Sequence, residues 1–214
     1  GVAAEFGGQV IAIGENNLFL ALFLTMITCL VLGMGIPTIP NYIITSSLAA
    51  PILLKLGVPL IISHMFVFYF GIMADLTPPV ALAAFAAAPI ARENGLKISI
   101  QALRVAVAGF VVPYMAVYSP ALMLQGFDSW SISAVLAVVY IVFKALVAIT
   151  LWGAGMTGFL ITRINAFERI YVVLAAALLV AAIPMTDDIG FAATALFLVW
   201  HVLRSRRQAA AQAA

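Results

Sequence analysis

Charged residues are scarce in this sequence: Asp, Glu, Lys and Arg make up 8% of its 214 residues. Ordinary soluble domains carry about 25%, so a water-soluble enzyme is excluded. The net charge of +2 is spread over separate segments, gives no basic patch and excludes a nucleic-acid partner. The single cysteine, Cys29, lies in an apolar run, which excludes a disulfide framework and a cysteine metal cluster.

Long apolar runs are what the sequence has in abundance. Apolar residues make up 65% of the chain and the mean hydropathy is +1.20, which excludes a disordered chain and predicts an all-α polytopic membrane protein. A helix needs about 20 residues to cross the hydrocarbon, and residues 105–124 and 131–152 meet that length. Residues 171–184 and 189–203 are shorter, so we expect them to span with flanking residues or local thinning of the bilayer.

Two short apolar arms, residues 18–32 and 39–54, flank a segment that is rich in glycine and proline. That segment, residues 33–38, reads Gly-Met-Gly-Ile-Pro-Thr. Each arm would be about 22–24 Å long as a helix, whereas the hydrocarbon is about 30 Å thick. We therefore expect a re-entrant helical hairpin over residues 18–57 rather than two full spans.

The next apolar stretch, residues 58–91, is long enough to cross once, but Asp-Leu-Thr-Pro-Pro interrupts it at residues 75–79. Consecutive prolines remove two backbone donors and clash with the preceding turn. The sequence thus predicts a broken transmembrane helix whose second half, residues 80–88, begins at the prolines; a simple kink is the alternative. The acid Asp75 is either a ligand or an acceptor for backbone N–H groups at the break.

A hairpin tip and a broken helix that meet inside the membrane can form a site for ions and small ligands. Half-helix N-termini offer N–H groups to a carboxylate, and unwound carbonyls offer oxygen ligands to a cation. Close helix packing is the alternative role for the tip glycines. The predicted ion- and substrate-binding residues are Gly33, Met34, Gly35, Thr38, Asp75, Thr77, Pro78 and Pro79.

Basic and acidic connections alternate along the chain, and the basic ones are expected in the cytoplasm. The tail from residue 208 is of low complexity and is predicted to be disordered. The predicted divisions are an outer connection (1–17), the hairpin (18–57), the broken helix (58–91), two transmembrane helices after a cytoplasmic connection (92–152), a cytoplasmic loop with two short transmembrane helices (153–203), and a cytoplasmic tail (204–214).

Two titratable side chains inside predicted helices have a structural as well as a functional interpretation. His64 is expected near the outer interface, where a structural role is favoured over a ligand role. Lys144 lies in the middle of a predicted span, and its long stem is expected to carry the ammonium group toward an interface.

At residues 33–38 and 75–83 the sequence resembles the large membrane subunit of a TRAP (tripartite ATP-independent periplasmic) transporter, of the fused type that works with TAXI binding proteins. The resemblance implies an elevator-type secondary transporter with inverted repeats, of which this chain holds the second. Because there is no initiator Met, we expect a C-terminal piece of a longer fused permease chain. Many relatives carry glycine where this chain has Ala81. The resemblance extends over residues 8–126, with further matches at 66–71, 102–104 and 118–126.

The resemblance also implies a function. Sodium would bind as the coupling ion at Gly33, Thr38 and Thr77, without any other cofactor. The substrates would be organic acids, delivered by a periplasmic TAXI-type binding protein and imported by symport across a bacterial or archaeal inner membrane. The alternatives are a channel or a scaffold subunit in the membrane and, least favoured, an intramembrane enzyme, because the neighbouring Ser63 and His64 diverge on a helix.

Overall fold

The computed structural model describes residues 2–127, 131–181 and 184–213. These residues form α-helices and one 3-10 turn, with no β-strand among them, which confirms the all-α fold class. The chain divides into two compact units, Gly1–Gly126 and Phe127–Ala214.

The described part of the first unit contains six α-helices. They are α1 (Val2–Asn16), α2 (Leu18–Gly33), α3 (Thr38–Lys55), α4 (Leu60–Met73), α5 (Leu82–Ala91) and α6 (Gly95–Tyr118), followed by the 3-10 turn Pro120–Met123. The hairpin arms α2 and α3 pack on each other and on α4, and α6 packs on α4 and α5. The core of this unit is built around the buried rings of Phe66 and Phe70, whose centroids lie 4.8 Å apart, with Leu22 and Leu53 also fully buried.

The first helix is a difference from the sequence prediction, which placed a glycine-rich connection over residues 1–17. Helix α1 covers Val2–Asn16 and packs on α2 and α3. Val10 is buried against Ala21 and Ile52, so the packing of apolar residues outweighs the low helix propensity of the glycines. The side of the membrane on which α1 lies stays a prediction.

Two helix starts also differ from the prediction. Helix α6 begins at Gly95, ten residues before the predicted span, because the side chain of Asn94 accepts a hydrogen bond from the Leu96 N–H group (2.8 Å) and caps the helix. In the same connection, hydrogen bonds from the Lys97 side chain and the Asn94 N–H group lower the pKa of the exposed Glu93 carboxyl. Helix α5 begins at Leu82, two residues later than expected.

The described part of the second unit contains α7 (Ile132–Thr157), α8 (Ala166–Val180) and α9 (Pro184–Ala213). Helix α8 starts five residues before the predicted span, because Asn165 and Glu168 form a capping box at its first turn. Helix α9 continues to Ala213, so the prediction of a disordered tail is wrong for the described residues. The alanine and glutamine residues of that tail favour a helix.

Three helices among the described residues are long and apolar enough to cross a membrane: Gly95–Tyr118, Ile132–Thr157 and Met185–Gln208. The hairpin arm α2 and the two halves of the broken helix, α4 and α5, are shorter apolar helices. Helix α8 has 15 residues, about 22 Å of helix, and its role as a short span stays a prediction.

Candidate functional site

The tip of the hairpin lies directly against the break in the interrupted helix. Gly33, the last residue of α2, is buried against the end of α4. A Cβ atom at Gly33 would lie 2.7 Å from the Gly71 carbonyl oxygen and 2.9 Å from the Ala74 Cβ atom. Such distances are shorter than van der Waals contact, so this approach of the two backbones requires glycine.

Gly35 makes a second approach between the tip and the break. Its φ of +77° lies in the left-handed region that favours glycine. A Cβ atom at Gly35 would lie 3.6 Å from a methyl carbon of Val80. The residue between the two glycines, Met34, is the C-cap of α2 and is half-buried. The structure thus brings the two predicted glycines of the tip to the break.

Asn41, on the first turns of α3, joins the same cluster, although the sequence did not single it out. Its side-chain Nδ2 donates a hydrogen bond to the Gly71 carbonyl oxygen (2.7 Å). Its Oδ1 atom is buried without a hydrogen-bond partner, and the residue is 2% exposed. A buried amide oxygen that lacks a donor is costly unless a ligand completes it. The sequence signal that could have identified Asn41 is an amide side chain within an apolar hairpin arm.

Asp75 supplies a second unpartnered oxygen at the break. Its Oδ1 atom is buried without a hydrogen-bond partner, so this atom does not accept a backbone N–H group as one interpretation of the sequence suggested. The backbone carbonyl of Asp75 accepts a hydrogen bond from the Ala83 N–H group (3.1 Å) across the break. This bond ties the two halves of the interrupted helix together.

The other residues predicted to bind an ion or substrate are two threonines and two prolines. The Thr77 hydroxyl donates to the Met73 carbonyl oxygen (2.8 Å) and keeps its lone pairs for another contact. Pro78 is half-buried and Pro79 is exposed, with a cis peptide bond between them. Thr38 is exposed in the first turn of α3. Their roles as ion or substrate ligands stay predictions.

The arrangement suits a hard cation rather than a transition metal. In the described part of the chain, no three His, Cys, Asp or Glu side chains come together as a metal site. Oxygen atoms dominate instead: the carbonyl of Gly71 and the free side-chain oxygens of Asn41 and Asp75. Such oxygens, together with unwound backbone, are the ligands that alkali and alkaline-earth ions prefer.

The backbone at Ala81 has a conformation that favours glycine. Ala81 precedes α5 with a φ of +39°, in the left-handed region, and is fully buried. A Cβ atom costs about 1–2 kcal/mol in that conformation. The break therefore holds a strained alanine.

We expect Ala81→Gly to stabilise the folded chain by up to about 1 kcal/mol, because relief of the left-handed strain exceeds the entropy cost of glycine. Thermal unfolding in detergent measures the change. Ala86→Gly, at an exposed position inside α5, is the matched control and should destabilise the chain by about 0.5–1 kcal/mol. Equal destabilisation by both substitutions would contradict the strain at Ala81.

Two titratable residues that the sequence singled out have structural partners. The His64 Nδ1 atom lies 2.9 Å from the Tyr42 hydroxyl. The Lys144 ammonium group forms a buried ion pair with Asp187, at 2.9 Å, and its position relative to an interface stays a prediction. The Tyr140 hydroxyl donates to the same carboxylate (3.0 Å). The partner of Lys144 lies 43 residues away, which is why local sequence did not reveal it.

Together, the apolar helices, the hairpin and the interrupted helix define a polytopic helical membrane protein. The family model described as "Tripartite ATP-independent periplasmic transporter, DctM component" matches residues 1–131, more than half of the chain. The chain therefore belongs to the DctM family, the large permease components of TRAP transporters, as its sequence motifs predicted. No curated protein and no solved structure matches the chain.

Proposed function

We propose that the chain works in a sodium-coupled importer of organic acids, fed by a periplasmic substrate-binding protein of the TAXI type. The observation that carries the proposal is the contact between the hairpin tip at Gly33 and the break after α4, beside two buried oxygens without partners. Membership of the DctM family makes the chain a component of a transporter. The coupling ion, the substrate class and the binding protein are the further steps proposed here.

The chemistry of the cluster supports sodium. A cation beside the half-buried Asp75 would neutralise its carboxylate and give its buried Oδ1 atom a partner. The Asn41 amide oxygen and the Gly71 carbonyl lie beside the tip and are neutral ligands of the kind that sodium accepts. We propose Gly33, Thr38 and Thr77 as further members of the ion site, and Met34, Gly35, Pro78 and Pro79 as its backbone frame.

The start of α5 supports recognition of a carboxylate. Helix α5 begins at Leu82, beside the break, and its first N–H groups carry partial positive charge. An organic acid at this end would lie close to the proposed cation. The membrane potential contributes about 2.3 kcal/mol per charge per 100 mV, so symport of an anion with more than one sodium ion can proceed without ATP.

The distribution of charge in the second unit supports a cytoplasmic C-terminus in the inner membrane. Arg204 on α9 forms an ion pair with Glu168 and donates a hydrogen bond to the Arg163 carbonyl oxygen. Two basic residues therefore lie close together at this end of α9. Asp187 lies in the first turn of α9. By the preference of arginine and lysine for the cytoplasmic side, the end with Arg204 faces the cytoplasm.

We expect sodium chloride, but not potassium or choline chloride at equal ionic strength, to raise the melting temperature of the chain in detergent. A ligand at a hundredfold excess over its Kd adds about 2.7 kcal/mol to the free energy of unfolding. Thr77→Ala should weaken this response to sodium. Thr28→Ala is a close control, because both half-buried hydroxyls donate 2.8 Å bonds to the carbonyl four residues earlier.

The comparison separates an ion site from a general effect on helix stability. Loss of the sodium response in Thr77→Ala with retention in Thr28→Ala supports the site at the break. Equal melting in all three salts would argue against sodium coupling. A channel, the alternative, would conduct without saturation by substrate or dependence on a binding protein, so uptake at rising substrate concentration distinguishes it from a carrier.

A further inference from the structure

The second unit carries a cleft on the face formed by α8 and α9. Its volume is about 330 Å³, and its lining is mainly aromatic and aliphatic. The walls leave large apolar side chains uncovered; Phe167 is 85% exposed and Leu196 is 69% exposed. The lining residues are Phe167, Glu168, Tyr171, Leu196, Phe197 and Trp200.

One end of this cleft is polar and strongly basic. Arg204 forms an ion pair with the buried Glu168 carboxylate and donates to the Arg163 carbonyl oxygen. Its guanidinium lies over the Trp200 ring, 4.9 Å from the centroid. The Arg204 Nε atom is buried without a hydrogen-bond partner.

The helical register extends the basic end along the cleft. At 100° per residue, Leu196, Trp200, Arg204 and Arg207 fall within one 80° sector of α9. Arg207 is exposed, as is Arg163, whose backbone contacts Arg204. The positive charges of Arg204, of Arg207 in the same sector of α9 and of Arg163, whose backbone contacts Arg204, exceed the single negative charge of Glu168.

We propose that this cleft binds one anionic phospholipid of the bilayer, with an acyl chain along the apolar walls and the phosphate on Arg163, Arg204 and Arg207. An apolar groove that ends in arginines between transmembrane helices is complementary to a lipid with a negative head group. Tyr171 and Trp200 have the amphipathic rings that lie at the level of lipid head groups. The proposal requires only that α8 and α9 lie in a bilayer and does not depend on sodium coupling.

The test titrates the purified chain in mild detergent with dioleoyl phosphatidylglycerol and follows the melting temperature and the lipids retained in native mass spectrometry. Two further probes separate the parts of the ligand. Dioleoyl phosphatidylcholine has the same chains without net negative charge, and glycerol 3-phosphate has the charge without the chains. We expect phosphatidylglycerol to stay bound and to raise the melting temperature, and the two other probes to do neither.

Variants locate the effect. Arg163→Gln/Arg207→Gln should weaken phosphatidylglycerol binding about 30-fold, since each arginine near an anionic lipid contributes about fivefold. Lysine at both positions should retain most of the binding. Arg92→Gln/Arg104→Gln removes two exposed arginines of the first unit and should leave binding unchanged.

Several results would overturn the proposal. Equal loss of binding in the two glutamine variants would indicate general attraction to positive charge. If phosphatidylcholine stabilised the chain as much as phosphatidylglycerol, the arginines would have no part in binding. If glycerol 3-phosphate did so, the apolar cleft would have no part in it. A dimer of the chain without bound lipid would show that a second copy covers this face.

Discussion

Gly33→Ala is expected to abolish sodium-stimulated uptake by the assembled transporter in proteoliposomes. The added methyl group would lie 2.7 Å from the Gly71 carbonyl oxygen and 2.9 Å from the Asn41 Nδ2 atom. The tip and the break must then separate by several tenths of an ångström, which spoils any ion site that they share. Every 1.4 kcal/mol lost from binding lowers affinity tenfold, so we expect at least a tenfold loss of uptake.

The same substitution should leave a folded protein. Overpacking of this kind costs about 1–3 kcal/mol, so Gly33→Ala should still elute as the wild-type species from a size-exclusion column. Gly153→Ala, within α7, is the control, because outside its own helix backbone no atom of the described residues lies within 4 Å of the added Cβ atom; it should transport normally. Wild-type uptake by Gly33→Ala would show that the close approach at the tip has no part in transport.

Lys144→Met is expected to cause the largest loss of stability, about 3–5 kcal/mol, because it leaves the Asp187 carboxylate buried without its cation. The side chains of the pair are 3% and 9% exposed, and the Tyr140 hydroxyl alone cannot replace the ammonium group. For a chain of this length the loss corresponds to a fall of about 6–20 °C in the melting temperature. Tryptophan fluorescence during thermal unfolding in detergent measures it.

Two further variants test the cause. Lys144→Met/Asp187→Leu removes both charges and should recover most of the lost stability, because an apolar pair of similar volume avoids the cost of desolvation. Lys97→Met breaks the exposed pair with Glu93 and should change the melting temperature little, since water screens exposed pairs. If Lys144→Met melted with the wild type, the buried pair would not contribute to the fold.

The elements that the sequence predicted best are those with local signals. The hairpin arms were predicted to within one residue, at Leu18–Gly33 and Thr38–Lys55, because glycine and proline mark both ends of apolar runs. The break was placed correctly because two prolines cannot continue a helix. The left-handed backbone that Ala81 adopts was not predicted from the sequence.

The parts that the sequence did not reveal depend on contacts between distant residues. Asn41 meets Gly71 across 30 residues, and no local pattern pairs an amide with a carbonyl on another helix. Lys144 on α7 meets Asp187, the first acid of α9, across 43 residues. Helix α1 forms because Val10 finds Ala21 and Ile52, which low local helix propensity does not indicate.

Cys29 is fully buried in α2, within the core of the first unit. Membrane-impermeant maleimides reach only thiols that water can reach, so the native chain already serves as an unreactive background. Single cysteines introduced at exposed Lys55 and at exposed Arg207 would then report, in whole cells, which ends of the two units face outward. The positions of the loops relative to the bilayer can be mapped without removing any residue of the core.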